Sequence, residues 1–197
     1  MSITTKPSSE FFTNSYAIAS AKPTTEIIDF RPLNPEDFQA FRAIRLEALS
    51  GPDAKYFGAS YEKESAQPDA SWIERCRQTT EKALFGAFLS DQVVGVMAAT
   101  KSDKHERTVL WGSVYLRPQH RNRHVAERLY QMRQQWSEAR GLFDRAIFFI
   151  REGNERSTAI HVKNGAKVIG REEMDFADCS RGTALWFEKK LTAHGIT

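Results

Sequence analysis

The stretch from residue 109 to residue 126 limits what this chain can fold into more than any other. Val109, Leu110, Trp111, Val114, Tyr115 and Leu116 give the composition of a buried strand over 109–116, and Pro118 stops its ladder because proline has no N–H to give. Beyond the proline, Val125, Leu129, Met132, Trp136 and Ala139 recur at helical spacing, and Gly141 stands where a helix C-terminus wants it. A strand therefore feeds a helix through a short basic loop. The first N–H groups of a helix lack partners and its dipole adds partial positive charge, so this junction suits an anion. Arg117, Arg121, Arg123 and Arg128 add side-chain charge around it. The plainer alternative is a solvated basic face on an amphipathic helix.

With 197 residues, 41% of them hydrophobic, the chain has enough material for one domain with a sizeable core. Lysine and arginine exceed aspartate and glutamate by 28 − 25 = +3, which is not the charge of a polycation built to coat nucleic acid. No apolar run is long enough to cross a bilayer, and residues 1–26 lack the basic-then-apolar order of a secretory signal. Cys76 and Cys179 show no metal-type or C-x-x-C spacing and read as free thiols, which points to the cytoplasm; a single disulfide in an exported protein is the alternative.

Residues 1–25, rich in Ser and Thr with Pro7 and Pro23, read as a flexible or loosely docked tail, and 26–197 as one domain. A short strand over 26–31 leads to a helix start at Asn34, Pro35, Glu36 and Asp37. That helix buries Phe38, Phe41, Ile44, Ala48 and Leu49 and stops at Gly51-Pro52. From 53 to 70 periodicity is poor and an irregular segment is expected; Asp69 or Ser71 then caps a second helix running to about Lys82. Two apolar strands, 83–89 and 92–99, form a hairpin over Ser90-Asp91. The run 145–150 is apolar on both faces and belongs inside a sheet. A helix then opens around Gly153 and Asn154 and closes at Asn164-Gly165, and strands over 167–171 and 183–188 flank an acidic loop around Asp175 and Asp178. The order β-α-α-β-β-β-α-β-α-β-β predicts an α/β fold with a central mixed sheet flanked by helices, without internal repeats.

This order, together with three local patterns, resembles the GNAT superfamily of acyl-CoA-dependent N-acyltransferases over residues 26–191. Arg121-Asn122-Arg123-His124-Val125-Ala126 is similar to the family's pyrophosphate loop, Arg or Gln, two residues, Gly, one residue, Gly or Ala. Asn154 followed by Ala159-Ile160-His161 and Asn164-Gly165-Ala166 resembles its Asn, then Ala, then Leu-Tyr-x-x-x-Gly-Phe. Arg45-Leu46-Glu47-Ala48-Leu49 and the loop bearing Glu62 and Glu64 resemble the substrate-side helix of small members. The resemblance implies an N-acetyltransferase that binds acetyl-CoA as co-substrate and passes its acetyl group directly to an amine of a small molecule or protein. It implies that backbone amides of Asn122, Arg123, His124, Val125 and Ala126 hold the pyrophosphate, with Arg121 beside it. It also implies that Val114 and Leu116 pair with the pantetheine and that Asn154 faces the cofactor.

Three residues depart from the family pattern: His124 for Gly, His161 for Tyr and Ala166 for Phe. At a helix start a negative φ is expected of His124, so that the loss is one of room. His161 takes the position of the acid that protonates the departing thiolate, a task an imidazole suits near neutral pH, although a surface histidine is the plainer alternative. Oxyanion donors are expected near Val114 and Tyr115 if the strand carries a bulge. Glu47, Glu62 and Glu64 are candidate bases, each equally readable as solvated, and Trp111 is either a cleft wall or a core residue. His120 and His124 are spaced as i and i+4 but lack a third ligand, so no metal is expected. No P-loop occurs and neither cysteine has a histidine at a recognisable spacing. Nucleic acid and membrane are not expected partners, a homodimer is left open, and a GNAT-fold binding module that has lost its chemistry is the alternative function.

Overall fold

In a computed structural model of the chain, residues 27–121, 124–139 and 141–192 are described. The tail expected over 1–25 lies outside these residues. Seven strands form one sheet in the order β1-β2-β3-β4-β5-β7-β6. They are β1 (Ile28–Pro32), β2 (Lys82–Leu89), β3 (Gln92–Lys101), β4 (Thr108–Leu116), β5 (Arg145–Arg151), β6 (Lys167–Asp175) and β7 (Arg181–Lys190). Only β4 and β5 run parallel; every other neighbouring pair is antiparallel. The helices are α1 (Phe38–Ser50), α2 (Tyr61–Ser65), α3 (Asp69–Cys76), α4 (Val125–Glu138) and α5 (Glu155–Lys163).

Alternation along the strands splits the core into two layers. On one face α4 and α5 cover Phe85, Ala87, Met97, Val109, Trp111, Phe148 and Phe187. On the other, Phe41, Ile44 and Ala48 of α1 and Trp72 and Cys76 of α3 cover Leu84, Phe88, Val96 and Tyr115. Phe41 and Trp72 meet edge to face at 5.5 Å, and each is at most 1% exposed. Burying an apolar side chain of this size contributes about 2–3 kcal/mol.

The expected punctuation is largely present. Asn34 and Asp37 form a reciprocal capping box, although the first turn, Pro35–Asp37, is 3-10. Ser90 takes φ 51° in the hairpin turn. At the end of α5, Gly165 (φ 82°) lets its own N–H reach Val162 O while the Ala166 N–H reaches His161 O, a Schellman closure. Three expectations need correction. The segment 53–70 contains a 3-10 turn and α2, opened by Ser60 accepting from the Lys63 N–H. Helix α3 ends at Cys76 and not near Lys82, because Arg77 is extended and Lys82 already starts β2. On α4 the buried stripe is Val125, Leu129, Tyr130, Arg133 and Ser137, whereas Met132 and Trp136 are only partly covered.

Candidate active site

The site begins where β4 and β5 part. They pair only at Thr108–Arg145, Val109–Ala146 and Leu110–Ile147, while β5 stays paired to β7 as far as Arg151. Between them the sheet is therefore split from Gly112 onward, and a Cβ at Gly112 would touch nothing within 4 Å. On its other side β4 pairs Tyr115 with Val96 and Gly112 with Ala98, so Ser113 and Val114 together oppose Met97 alone. This is a β-bulge, and Ser113 sits in it at φ 50°. The bulge turns β4 away from β5 and leaves backbone N–H and C=O groups along the split without a strand neighbour, as binding an extended ligand requires.

The start of α4 stands at the end of that split. His124 precedes it at φ 57°, ψ 6°, a left-handed conformation, which corrects the expected negative φ. The constraint at this position is one of backbone conformation as well as room, and a non-glycine residue there costs about 1–2 kcal/mol. Its ring is 90% exposed and lies 3.1 Å from Oε2 of Glu127 in the first turn of α4. Val125 is buried and Ala126 half-buried. Asn122 and Arg123 lie outside the described residues. Val114 and Leu116 pack partly buried against the α4 side of the core.

The arginines of the loop are less free than their number suggests. Arg117 holds Glu47 of α1, with Nη2 2.8 Å and Nε 3.0 Å from Oε2, and Tyr115 Oη donates to the same carboxylate at 3.1 Å. Burial, and then the Glu47 charge, pushes the Tyr115 phenol up to about 12. Arg121 donates through Nε to Leu116 O at 2.9 Å and through Nη2 to Asp53. Two acids from the other face thus neutralise two of the expected phosphate-side cations.

His161 is 4% exposed and faces inward, 4.3 Å from the Phe148 ring and 5.4 Å from that of Tyr130. Its Nδ1–H donates to Ser157 O at 2.8 Å, and its Nε2 accepts from Arg133 Nη2 at 3.3 Å. Burial, then the like charge of Arg133, lowers the imidazole to about 4. The ring is neutral at pH 7 and its one proton is committed to a carbonyl, an arrangement that favours a bracing role over proton donation. Arg133 itself is fully buried, 4.2 Å over the Trp111 ring, and its Nε and Nη1 have no hydrogen-bond partner. Burial lowers it to about 9. Trp111 is a core residue, its Nε1–H donating to Ser137 Oγ at 3.1 Å.

Asn154 caps α5 by accepting from the Ser157 N–H at 3.3 Å. Of the candidate bases, Glu62 is tied to Ser60 on the surface of α2, and Glu64 lies between Arg75 and Arg45. Burial works to raise Glu64, but the two guanidinium groups outweigh it and hold its carboxyl below the usual range. Among the described residues no group of three or more His, Cys, Asp or Glu side chains could hold a metal ion, and no helix is long and apolar enough to cross a membrane.

A split parallel pair, a bulged central strand and a helix start at the split's end thus meet in one place. The model of the acetyltransferase (GNAT) family matches residues 38–166. The chain belongs to the GNAT acetyltransferase family. A GNAT-family acetyltransferase from Streptococcus pneumoniae superposes with a TM-score of 0.68 at 14% identity, covering 84% of this chain and 99% of that one. A ribosomal-protein-alanine N-acetyltransferase from Brucella melitensis gives 0.66 at 20% identity over 83% and 99%. The protein yncA of Salmonella typhimurium, solved with its cofactor acetyl-CoA, gives 0.66 at 17% identity over 87% and 98%. No curated protein matches the sequence.

Two functional arrangements escape the sequence patterns. Arg133 stands four residues after Leu129 on the buried stripe of α4, and a cation on an apolar face was the available signal. The pairing of Arg121 with Asp53 joins residues 68 positions apart and leaves no local signal.

Proposed function

We propose that this GNAT protein transfers an acetyl group from acetyl-CoA to a primary amine of a small molecule or protein, by direct attack within a ternary complex. The split between β4 and β5 beside the bulge at Ser113 and Val114 carries the reading. It offers backbone donors and acceptors to the pantetheine, and the α4 start offers N–H groups to the pyrophosphate. Val114 and Leu116 line the strand side, Val125 and Ala126 the helix side, Asn154 the end of β5, and Arg121 holds the loop in place from behind. The amine nitrogen attacks the thioester carbonyl, backbone N–H groups at the bulge receive the developing oxyanion, and the thiolate leaves as the C–S bond breaks, the proton released by the nitrogen passing through water to the sulfur. His161 is a neutral wall of this site. With a thiol pKa of about 8.5 the leaving group is protonated readily by water. Cys76 and Cys179 are free, which suits the cytoplasm.

Initial-rate kinetics with varied acetyl-CoA and amine test the ternary complex. Intersecting reciprocal plots and no acetylated protein by intact-mass measurement are expected. Parallel plots with an acetylated Cys179 would overturn direct attack. The alternative of a binding module without chemistry rests on His124, whose side chain and left-handed backbone replace a glycine, and predicts CoA binding without turnover for any amine.

A further inference from the structure

On the far side of Phe57 and Gly58 from the bulge lies an open cavity of about 400 Å³, between α2, α3 and the β6–β7 turn. It is walled by Ser60, Lys63, Glu64, Ser71, Arg75 and Asp175, with Phe176 at its back. Phe57, the neighbour of the lining residue Gly58, has its ring 6.3 Å from that of Tyr115, and the Arg45 guanidinium stands 5.5 Å from the centroid of the same Phe57 ring. Gly58 lies against Phe149 and Met174, where an added Cβ would come within 3.1 Å of the Phe149 ring. Through Gly58 and its neighbour Phe57 the cavity adjoins Tyr115 near the end of β4.

The chemistry of the walls is lopsided. Glu64, the less exposed of the two acids in them, is spent: Arg75 Nη1 reaches one oxygen at 2.5 Å, while Arg75 Nη2 and Arg45 Nη2 each reach the other at 3.4 Å. Two buried or half-buried guanidinium groups share that single carboxylate. The donors are not spent. Among the described residues the Lys63 ammonium has no carboxylate within ion-pair distance, Arg75 has its Nε–H uncommitted, and Ser71 adds a hydroxyl. Asp175 is the remaining acid, with its side chain 79% exposed and Arg181 3.4 Å away. Along the lining Lys63 and Arg75 balance Glu64 and Asp175 in charge, and Arg45 stands behind Glu64; with Glu64 taken up by guanidinium groups, the uncommitted N–H donors of Lys63 and Arg75 are what an oxyanion would meet through charge-assisted hydrogen bonds.

We infer that the amine acceptor itself carries an oxyanion, a carboxylate or a phosphate, which docks on Lys63, Arg75 and Ser71 while its amine reaches past Phe57 to the bulged end of β4. The inference rests on the proposed acetyl transfer and names its acceptor class. Arg45 and Glu64 position Arg75 and do not touch the ligand.

Matched pairs of amines test it: glycine and alanine against their methyl esters for the carboxylate, and O-phosphoethanolamine against ethanolamine for the phosphate. At least one anionic member should be acetylated with about tenfold or higher kcat/KM than its neutral partner, since one charge-assisted bond is worth about that much. Lys63→Glu, on the exposed surface of α2, should abolish the preference by raising the acceptor KM while leaving the acetyl-CoA KM unchanged; Lys63→Ala should do so in part. Equal efficiency within each pair, or an unchanged preference in Lys63→Glu, overturns the inference and leaves acetyl transfer standing. If no amine in any pair is acetylated, the transfer reading falls, and binding alone judges the cavity. Titration of the labelled protein with inorganic phosphate and with acetate should then shift the Gly58 and Ser71 amides saturably, and not in Lys63→Glu; unmoved amides overturn the inference.

Discussion

Arg133 Nη2 lies 3.3 Å from His161 Nε2, and this bond ties α4 to α5 beneath the split in the sheet. It joins a buried cation that has no carboxylate beside it among the described residues to a histidine that stays neutral. With Ser157 O holding the other ring nitrogen's proton, the tautomer is fixed at both ends. The pair is thus a brace between the two helices that flank the cleft.

A brace and an acid respond differently to substitution. Removing a general acid costs about 10²- to 10⁴-fold in rate. His161→Gln keeps an acceptor for Arg133 and cannot donate a proton as an acid, so its kcat is expected within about tenfold of the native value. Steady-state kinetics at saturating acetyl-CoA measure this, and a hundredfold or larger loss would restore His161 as the acid.

Stability should follow the same ring. Folding lowers the imidazole from its ordinary 6.5 to about 4, so the unfolded chain binds the proton more tightly. The stabilisation is complete above about pH 6.5 and is lost progressively as pH falls to about 4, reaching about 3 kcal/mol in full. Urea unfolding at pH 7 and pH 4.5 should show His161→Gln losing less stability on acidification than the native protein. Removing the like charge in Arg133→Met should raise the His161 titration point followed by NMR; an unchanged titration would mean that Arg133 does not act on the ring.

Arg121 offers a separate test, because its charge is directed at Asp53 and Leu116 O. Arg121→Asp and Asp53→Arg should each weaken acetyl-CoA binding, by about tenfold, through loss of the loop's anchor. The double variant, which exchanges the charges, should recover most of the loss. If the double variant binds no better than Arg121→Asp, the arginine meets the phosphate directly.

His124→Gly replaces a side chain held at φ 57° with the residue that accepts that conformation freely. Thermal unfolding should show a stability gain of up to about 1 kcal/mol, the strain relieved less the entropy of glycine. A loss of stability would mean that the contact of His124 with Glu127 outweighs the strain.

Much of this arrangement is legible in the sequence because it is written in local patterns. The apolar run of β4, the cap at Asn34, the turn at Ser90 and the closure at Gly165 each depend on residues within a few positions. The split and the bulge are not local. Ser113 adopts its left-handed backbone only because β3 pairs with β4 in a particular register, which no run of β4 residues specifies. Helix α2 is a single turn held by Ser60 and lies below the length at which periodicity can be read. Arg133 is hidden for the opposite reason: its charge assigns it to the surface, whereas its place on the stripe of α4 buries it under Trp111. Likewise Arg117 and Arg121 read as free cations until α1 and the turn after it bring Glu47 and Asp53 to them.

The most direct measurement is isothermal titration of acetyl-CoA into the native protein and into Ala126→Asp. An acid in the first turn of a helix suits the dipole, so the variant should fold, as circular dichroism and thermal unfolding would verify, while repelling a pyrophosphate at the α4 start. The account predicts one-to-one binding to the native protein and at least about a tenfold loss in the variant. Equal binding by both, or none by the native protein at millimolar acetyl-CoA, would contradict it.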